Sequence, residues 1–484
     1  MAVVSSRLTN YPIKKMTKKP NILLLVTDQQ RGDCLGVDGH PVLQTPYLDQ
    51  IASRGIRFRR GYSACPVCVA ARRTLMTGQK ASSHGVFMNH HVPLSGPTLP
   101  GELAKAGYQT HLVGKLHLSP PRKLYGFCSS DWADSPRPHP VFDDYERFLI
   151  QSGLNQPRSG LAHGTSQNGY TARPFHLEER FHFTNWCADR AINFLERRDP
   201  TVPFFLKVSF HQPHQPLTPP AVYFNRYMQM NLPKPVVGSW AKIFDQPQKG
   251  LPVNSWRVCL DDTVQKQMQA GYYGCINHID DQVGRILEIL PKETVIIFVS
   301  DHGEMLGDHQ WIRKRNAFES SARVPFFMQF PQSLKLPQEQ VLNHPVELMD
   351  IMPTCLDLAG VKIPQSVDGV SLLTIIQNTS ASWRNYVHGE CAQVPTLNSG
   401  QQYLTDGQTK YIWYPGTGEE HYFDLINDPN ETINLATESC HQGEIKRWRT
   451  ILAKQLYNRP EGFTNGQKLR VLGQPTPNCL PYLR

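Results

Sequence analysis

Asn21-Ile22-Leu23-Leu24-Leu25-Val26-Thr27-Asp28 is a nearly unbroken apolar run that stops at a carboxylate. It shows neither a helical period nor strict alternation. Such a run fits a strand buried on both faces, as in a parallel sheet. Three further runs repeat the pattern: THLVGKLH from Thr110 to His117, PFFLKVSFHQPH from Pro203 to His214, and TVIIFVSDHG from Thr294 to Gly303. Each ends in residues able to bind a ligand or move a proton.

Helical patterns separate these runs. They are Thr45-PYLDQIASRG, with Gly55 as its C′ residue, Leu99-PGELAKAG, Asn185-WCADRAINFLERRD and Gly274-CINHIDDQVGRILEIL. Alternating strand and helix predicts an α/β fold whose ligands bind beyond the carboxyl ends of the strands. The sequence therefore predicts a large mixed, mainly parallel sheet sandwiched by helices. Stretches near 120–180 and 215–260 are rich in Pro, Gly, Ser or aromatics, and are expected to be irregular insertions that shape a pocket. Near residue 370 the character changes. The run QYLTDGQTKYIWYPGTGEEHYFDL, from Gln402, predicts strand-turn-strand-turn-strand. The expected organisation is a tail over 1–19, an α/β domain over 20–370 and a smaller antiparallel subdomain over 371–484.

The chain has 484 residues, 40% of them hydrophobic, with 50 Lys+Arg against 41 Asp+Glu. A net charge of +9 suits an anionic substrate. It is too dispersed for nucleic acid, and the one basic block, Lys14-Lys15-Met16-Thr17-Lys18-Lys19, fits a solvated tail. No apolar run has the ~18 residues of a membrane span, and the first twenty residues lack an apolar leader core. The expected location is cytoplasmic, with no membrane partner. Eleven scattered cysteines do not form a disulfide framework.

The stretch CPVCVAARRTLMTG, from Cys65 to Gly78, pairs two cysteines with two arginines. A zinc site would need a second ligand pair at suitable spacing, and Cys34, Cys128 and Cys187 provide none. Cys65 fits a buried structural thiol. Arg72 follows Cys68 by four residues at a helix start, so the two share a face, and a helix N-terminus there favours an anion.

Six collinear motifs now carry a resemblance: VTDQQRGDCLG, CVAARRTLMTGQ, GKLH, SFHQPHQP, SDHGEMLGDHQW with Lys314 and FESSARVPF, and YFDLINDPNETINLA. Together they resemble the type I sulfatases of the alkaline phosphatase superfamily, over about residues 20 to 440. The nearest branch holds choline sulfatases, many bacterial sulfatases and phosphonate monoester hydrolases. The resemblance implies an alkaline phosphatase-like fold and a maturation enzyme that oxidises Cys68 to formylglycine, with Ala70 standing where proline is commonest. A hydrated aldehyde has two hydroxyls on one carbon. One attacks sulfur and expels the alcohol; the other loses its proton and releases sulfate.

The resemblance also implies residue roles. Asp28, Asp301 and His302 would hold one divalent cation together with the oxygen derived from Cys68. Calcium is the family's commonest metal, and the histidine in place of the usual Asn admits Mn, Mg or Zn. Arg72 would steady the hydrate. Lys115 would bind sulfate, and His117, two residues on along the same strand face, would assist release. His214 would bind sulfate or protonate the leaving alcohol, and Lys314 would share that role. His211 is divided between substrate contact and loop packing, as is His309. Arg313 and Arg315 are expected to be solvated. The substrate is expected to be a small anionic sulfate ester, favouring a sulfated saccharide of glycosaminoglycan or algal origin. Three alternatives stand beside it: a phosphonate monoester or phosphodiester, choline sulfate, and non-catalytic glycan binding with Cys68 unmodified.

Overall fold

The computed structural model describes residues 19–136, 141–154, 163–394 and 399–480. The basic tail lies outside the described residues except for Lys19, whose Nζ donates to Ala106 O at 2.7 Å.

The main sheet contains β1 (Asn21–Asp28), β2 (Ile56–Phe58), β4 (Gln109–Gly114), β5 (Ser129–Trp132), β6 (Phe204–Pro213), β7 (Thr294–Ser300), β8 (Phe326–Gln329) and β9 (Gln340–Leu342). Its order is β5-β4-β6-β1-β7-β8-β2-β9. The five strands from β5 to β7 are parallel, and β8 runs against its neighbours β7 and β2. A short parallel pair, β3 (Gly61–Tyr62) with β10 (Val346–Glu347), lies beside it.

The opening run is β1, at the centre. Ile22, Leu24 and Val26 join the core on one face, while Leu23 and Leu25 join that on the other. Each such side chain contributes about 1.5–3 kcal/mol on full burial. That offsets the ~1–2 kcal/mol cost of ordering each backbone residue. Continuous hydrophobicity is the sequence signature of this two-sided burial.

The second unit is the antiparallel sheet β11 (Val387–Val394), β12 (Ser399–Thr405), β13 (Thr409–Trp413) and β14 (Glu420–Asp424). One face is covered by the helix Gln442–Gln455 through Ile445, Trp448 and Leu452. The other packs Tyr403, Ile412 and Phe423 against Trp311, Ala317 and Phe318. Buried Lys410 reaches out of β13 to Glu319 and Glu431, each at 2.8 Å, and donates to Ala317 O at 2.8 Å. The small sheet therefore grips the segment that carries Lys314.

Three expectations change. The helix expected from Gly274 spans Asp262–Ile289. Its glycines are close-packing sites rather than breaks: a Cβ at Gly271 would lie 2.6 Å from Ala172 Cβ, and one at Gly274 2.8 Å from Pro219 Cγ. Gly55 does follow the helix Pro46–Arg54, but at φ −113°, so no left-handed cap requires it. Glycine is needed because a Cβ there would meet Met328 O at 2.0 Å. Finally, β4 stops at Gly114, so Lys115 and His117 lie past the strand, with His117 at φ 54°. Strand alternation does not orient them. The Asp134 carboxylate does, accepting from Leu116 N at 2.9 Å and His117 N at 2.8 Å.

Gly55→Ala is expected to lower stability by about 1–3 kcal/mol through overpacking. Urea unfolding measures this, and an unchanged midpoint would refute the close-contact explanation.

Candidate active site

Four adjacent parallel strands, β4, β6, β1 and β7, deliver Lys115, His214, Asp28 and Asp301-His302 to one edge of the sheet. The helix Cys68–Thr77 begins there, with Cys68 as its first residue. Cys68, Asp28, Asp301, His302, Lys115, His214 and Lys314 are all buried.

Cys68 Sγ lies 3.1 Å from His302 Nε2 and 3.8 Å from Asp28 Oδ1. His302 Nε2 is 3.7 Å from Asp28 Oδ1 and 3.6 Å from Asp301 Oδ1. His302 Nδ1 bonds to Gly303 O at 3.0 Å, which assigns its proton to Nδ1 and leaves the Nε2 lone pair facing the cluster. One donor atom from each of Asp28, Cys68, Asp301 and His302 lies within 4.8 Å of the others. A single ion with bonds of about 2.0–2.6 Å would reach all of them. The donor set therefore fits a divalent cation. With Cys68 replaced by an oxygen donor, it becomes an oxygen-rich set with one imidazole.

Arg72 lies one helical turn behind Cys68. Its Nε donates to Asp301 Oδ2 at 2.8 Å and its Nη2 to Asp28 Oδ2 at 3.2 Å. Its Nη1 donates to Lys115 O at 3.0 Å and Ser209 Oγ at 2.9 Å. The sequence reading placed this guanidinium on the aldehyde hydrate. The structure commits it to the two carboxylates and the Lys115 loop. Lys115 Nζ also meets Asp28 Oδ2, at 2.5 Å.

A second chain of contacts starts at Lys314. Its Nζ lies 2.7 Å from His214 Nε2 and 2.5 Å from Gln29 Oε1. His214 Nδ1 donates to Gln215 O at 2.8 Å, so Nε2 is the acceptor for Lys314. Gln29 is a junction that the sequence reading left out. Its backbone N donates to Asp301 Oδ1 at 3.1 Å, and its Nε2 donates to Gln215 Oε1 at 2.9 Å and to Glu304. The signal was its place directly after Asp28, but nothing local reveals its distant partners.

Burial and Cys68 push Asp28 upward, yet Lys115, His214 and Arg72 hold it below the ordinary carboxylate range. Burial and the Asp28 charge raise Asp301. Burial also opposes the Cys68 thiolate, but Lys314, His302, Lys115 and a hydrogen bond from His117 bring the thiol well below its usual value. Burial, with Lys314 beside it, lowers His214 to about 4. Arg72, Lys115 and Lys314 thus face two carboxylates, before any metal charge is counted. The field favours an anion.

The two histidines that the sequence divided between substrate contact and loop packing both make loop contacts. His309 is packed on Trp240 and Phe318, with ring centroids 4.8 and 5.4 Å away. Its Nδ1 accepts from Gly238 N at 3.2 Å, and a backbone bond ties it to Asn430. It stabilises the loop beneath the small sheet. His211 bonds Gln215 O through Nε2 at 2.8 Å, and its ring lies tilted at 46° to that of His214, centroids 4.9 Å apart. It therefore shapes the loop that presents His214. Cys65 is buried, with its Sγ 3.6 Å from Phe87 O. Arg313 and Arg315 are not solvated: Arg313 is buried, Arg315 half-buried, and both lie over Trp256.

Comparison with known proteins adds the following. A family model described as Sulfatase matches residues 20–361, and one described as N-sulphoglucosamine sulphohydrolase, C-terminal, matches 307–458. The chain is 40% identical to an arylsulfatase of Clostridium perfringens, covering 96% of this chain and all of the relative. It is 25% identical to an N-acetylglucosamine-6-O-sulfatase of Bacteroides thetaiotaomicron, covering 91% and 87% of the two chains. The crystal structure of a phosphonate monoester hydrolase of Agrobacterium radiobacter superposes with a TM-score of 0.76 at 23% identity, covering 90% and 95%.

A divalent cation at a hundredfold excess over its Kd is expected to stabilise the protein by about 2.7 kcal/mol, and His302→Ala to abolish the gain. Thermal melts with Ca, Mg, Mn and Zn in turn test this. An equal shift in the variant would place the ion elsewhere.

Proposed function

The chain belongs to the sulfatase family and is a sulfuric ester hydrolase, and on that premise we propose that it cleaves a sulfate monoester of a saccharide through a formylglycine made from Cys68. The observation that carries this reading is the buried cluster of Asp28, Cys68, Asp301 and His302, ringed by Arg72, Lys115 and Lys314. Asp28, Asp301 and His302 would hold a divalent cation. When bound, it supplies Lewis-acid polarisation and charge compensation.

The chain's own groups then divide the work. Lys115 and Lys314 offer positive charge to the sulfate oxygens. Lys314, as donor to His214 Nε2, is the group placed to protonate the leaving alkoxide, and His214 orients it. His117, close enough to the Cys68 side chain to favour its thiolate, would in its neutral form accept the proton whose loss releases sulfate. Arg72 holds the two carboxylates in position behind the reacting group.

Cys68 is 1% exposed at the start of its helix. A maturation enzyme would therefore act on the chain before this region folds. The anion-favouring site supports a sulfate ester, and the carbohydrate sulfatase among the relatives supports a saccharide as its carrier.

Mass spectrometry of the Cys68 peptide from active protein is expected to show the aldehyde, and Cys68→Ala to lower sulfate release by about 10³-fold or more. An intact thiol in fully active protein would refute the mechanism. Side-by-side rates on sulfated saccharides, a phosphonate monoester and choline sulfate test the substrate class. A preference for the phosphonate or for choline would refute the saccharide assignment.

A further inference from the structure

Arg315 follows Lys314 and sits against the turn that precedes Cys68, its backbone N donating to Pro66 O at 3.2 Å. Its φ of 77° is unusual for a residue with a Cβ and turns the side chain away from the direction a regular strand would give it. The guanidinium carbon lies 4.8 Å from the centre of the Trp256 ring, and that of Arg313 lies 3.7 Å from the same ring. The two arginines then differ. Arg313 donates through Nη2 to Asn254 O, so it has a protein acceptor. Arg315 forms no ion pair and no side-chain hydrogen bond with any described residue, and its Nε is buried without a partner.

A guanidinium stays charged under all ordinary conditions and carries five donors in a planar fork. Leaving such a group half-buried and unpaired is unfavourable. Burial works against its charge. Its backbone bond to Pro66, two residues before Cys68, and its place directly after Lys314 set Arg315 next to the segment that carries the reacting residue. Trp256 limits its rotation. It is itself tied to the segment before Arg313, since Ile312 N donates to Trp256 O at 3.1 Å. The fork is thus held on Trp256, next to the turn that leads into Cys68, with no side-chain acceptor among the described residues.

We propose that Arg315 is a specificity-determining residue that binds a second anionic group, a carboxylate or a second sulfate, on the sugar whose sulfate ester is cleaved. This rests on the saccharide sulfatase reading above and narrows it to doubly anionic substrates. Planar, paired donors match the oxygens of either group, and hydrogen bonds to charged partners are the stronger kind.

The experiment uses full-length, converted enzyme and three hexosides that share one scissile sulfate: a neutral ring, the same ring with a second sulfate, and the corresponding uronate. Wild type is expected to favour a doubly anionic substrate. Arg315→Met is expected to lower kcat/KM on it by about 10- to 100-fold, mainly through KM, and by a distinctly smaller factor on the neutral hexoside. Arg315→Lys, which keeps the charge but loses the fork, is expected to fall between. The anion that shows the loss identifies the group bound. A loss of the same factor on all three, in both variants, would overturn the inference and leave Arg315 a structural partner of Trp256. Release of sulfate from none of the three by wild type would overturn the saccharide reading and this inference with it.

Discussion

The site depends on one interaction, the contact of a single buried guanidinium with two buried carboxylates. Asp28 ends β1 and Asp301 follows β7, and each is about 1% exposed or less. Two like charges in such a place are strongly unfavourable without a compensating cation. Arg72 meets both, at 3.2 and 2.8 Å. Because Arg72 is one turn into the helix that Cys68 begins, the same contact fixes Cys68 against the strand ends. The electrostatic requirement of the carboxylates thus positions the reacting side chain.

The two remaining cations come from two separate segments. Lys115 comes from the loop after β4, steadied by Asp134 and by the bond from Arg72 to its carbonyl. Lys314 comes from the segment after β7, tied to His214 and Gln29. The small antiparallel sheet supports that segment from behind, through Lys410 and the Gln401 side chain, which accepts from Ala317 N at 2.7 Å. This is a physical reason for a second unit. A lysine that must hold its place near other cations needs a stiff backbone, and the long segment between β7 and β8 has little regular structure of its own.

Local sequence carried much of this. Continuous apolar runs mark strands buried on both faces, and their terminal Asp, His and Lys residues mark the edge where ligands bind. Cys68 and Arg72, four apart, mark one helical face. What local sequence missed or left open turned on contact. The helix read from Gly274 begins at Asp262, because Gly271 and Gly274 admit Ala172 and Pro219 against the helix. His309 is divided in sequence between substrate contact and loop packing, and its ring packs on Trp240. Lys115 and His117 suggested strand alternation, yet Asp134 turns the backbone there.

The sequence by itself determined the α/β architecture, the strand ends that carry the site and the family of chemistry, because periodicity and motif order are local properties of the chain. Only the tertiary structure decided which charge meets which. The commitment of Arg72 to Asp28 and Asp301, the junction at Gln29 and the seating of Arg315 on Trp256 and Pro66 join residues far apart in sequence. The energy of such contacts depends on burial and distance, which no local pattern encodes.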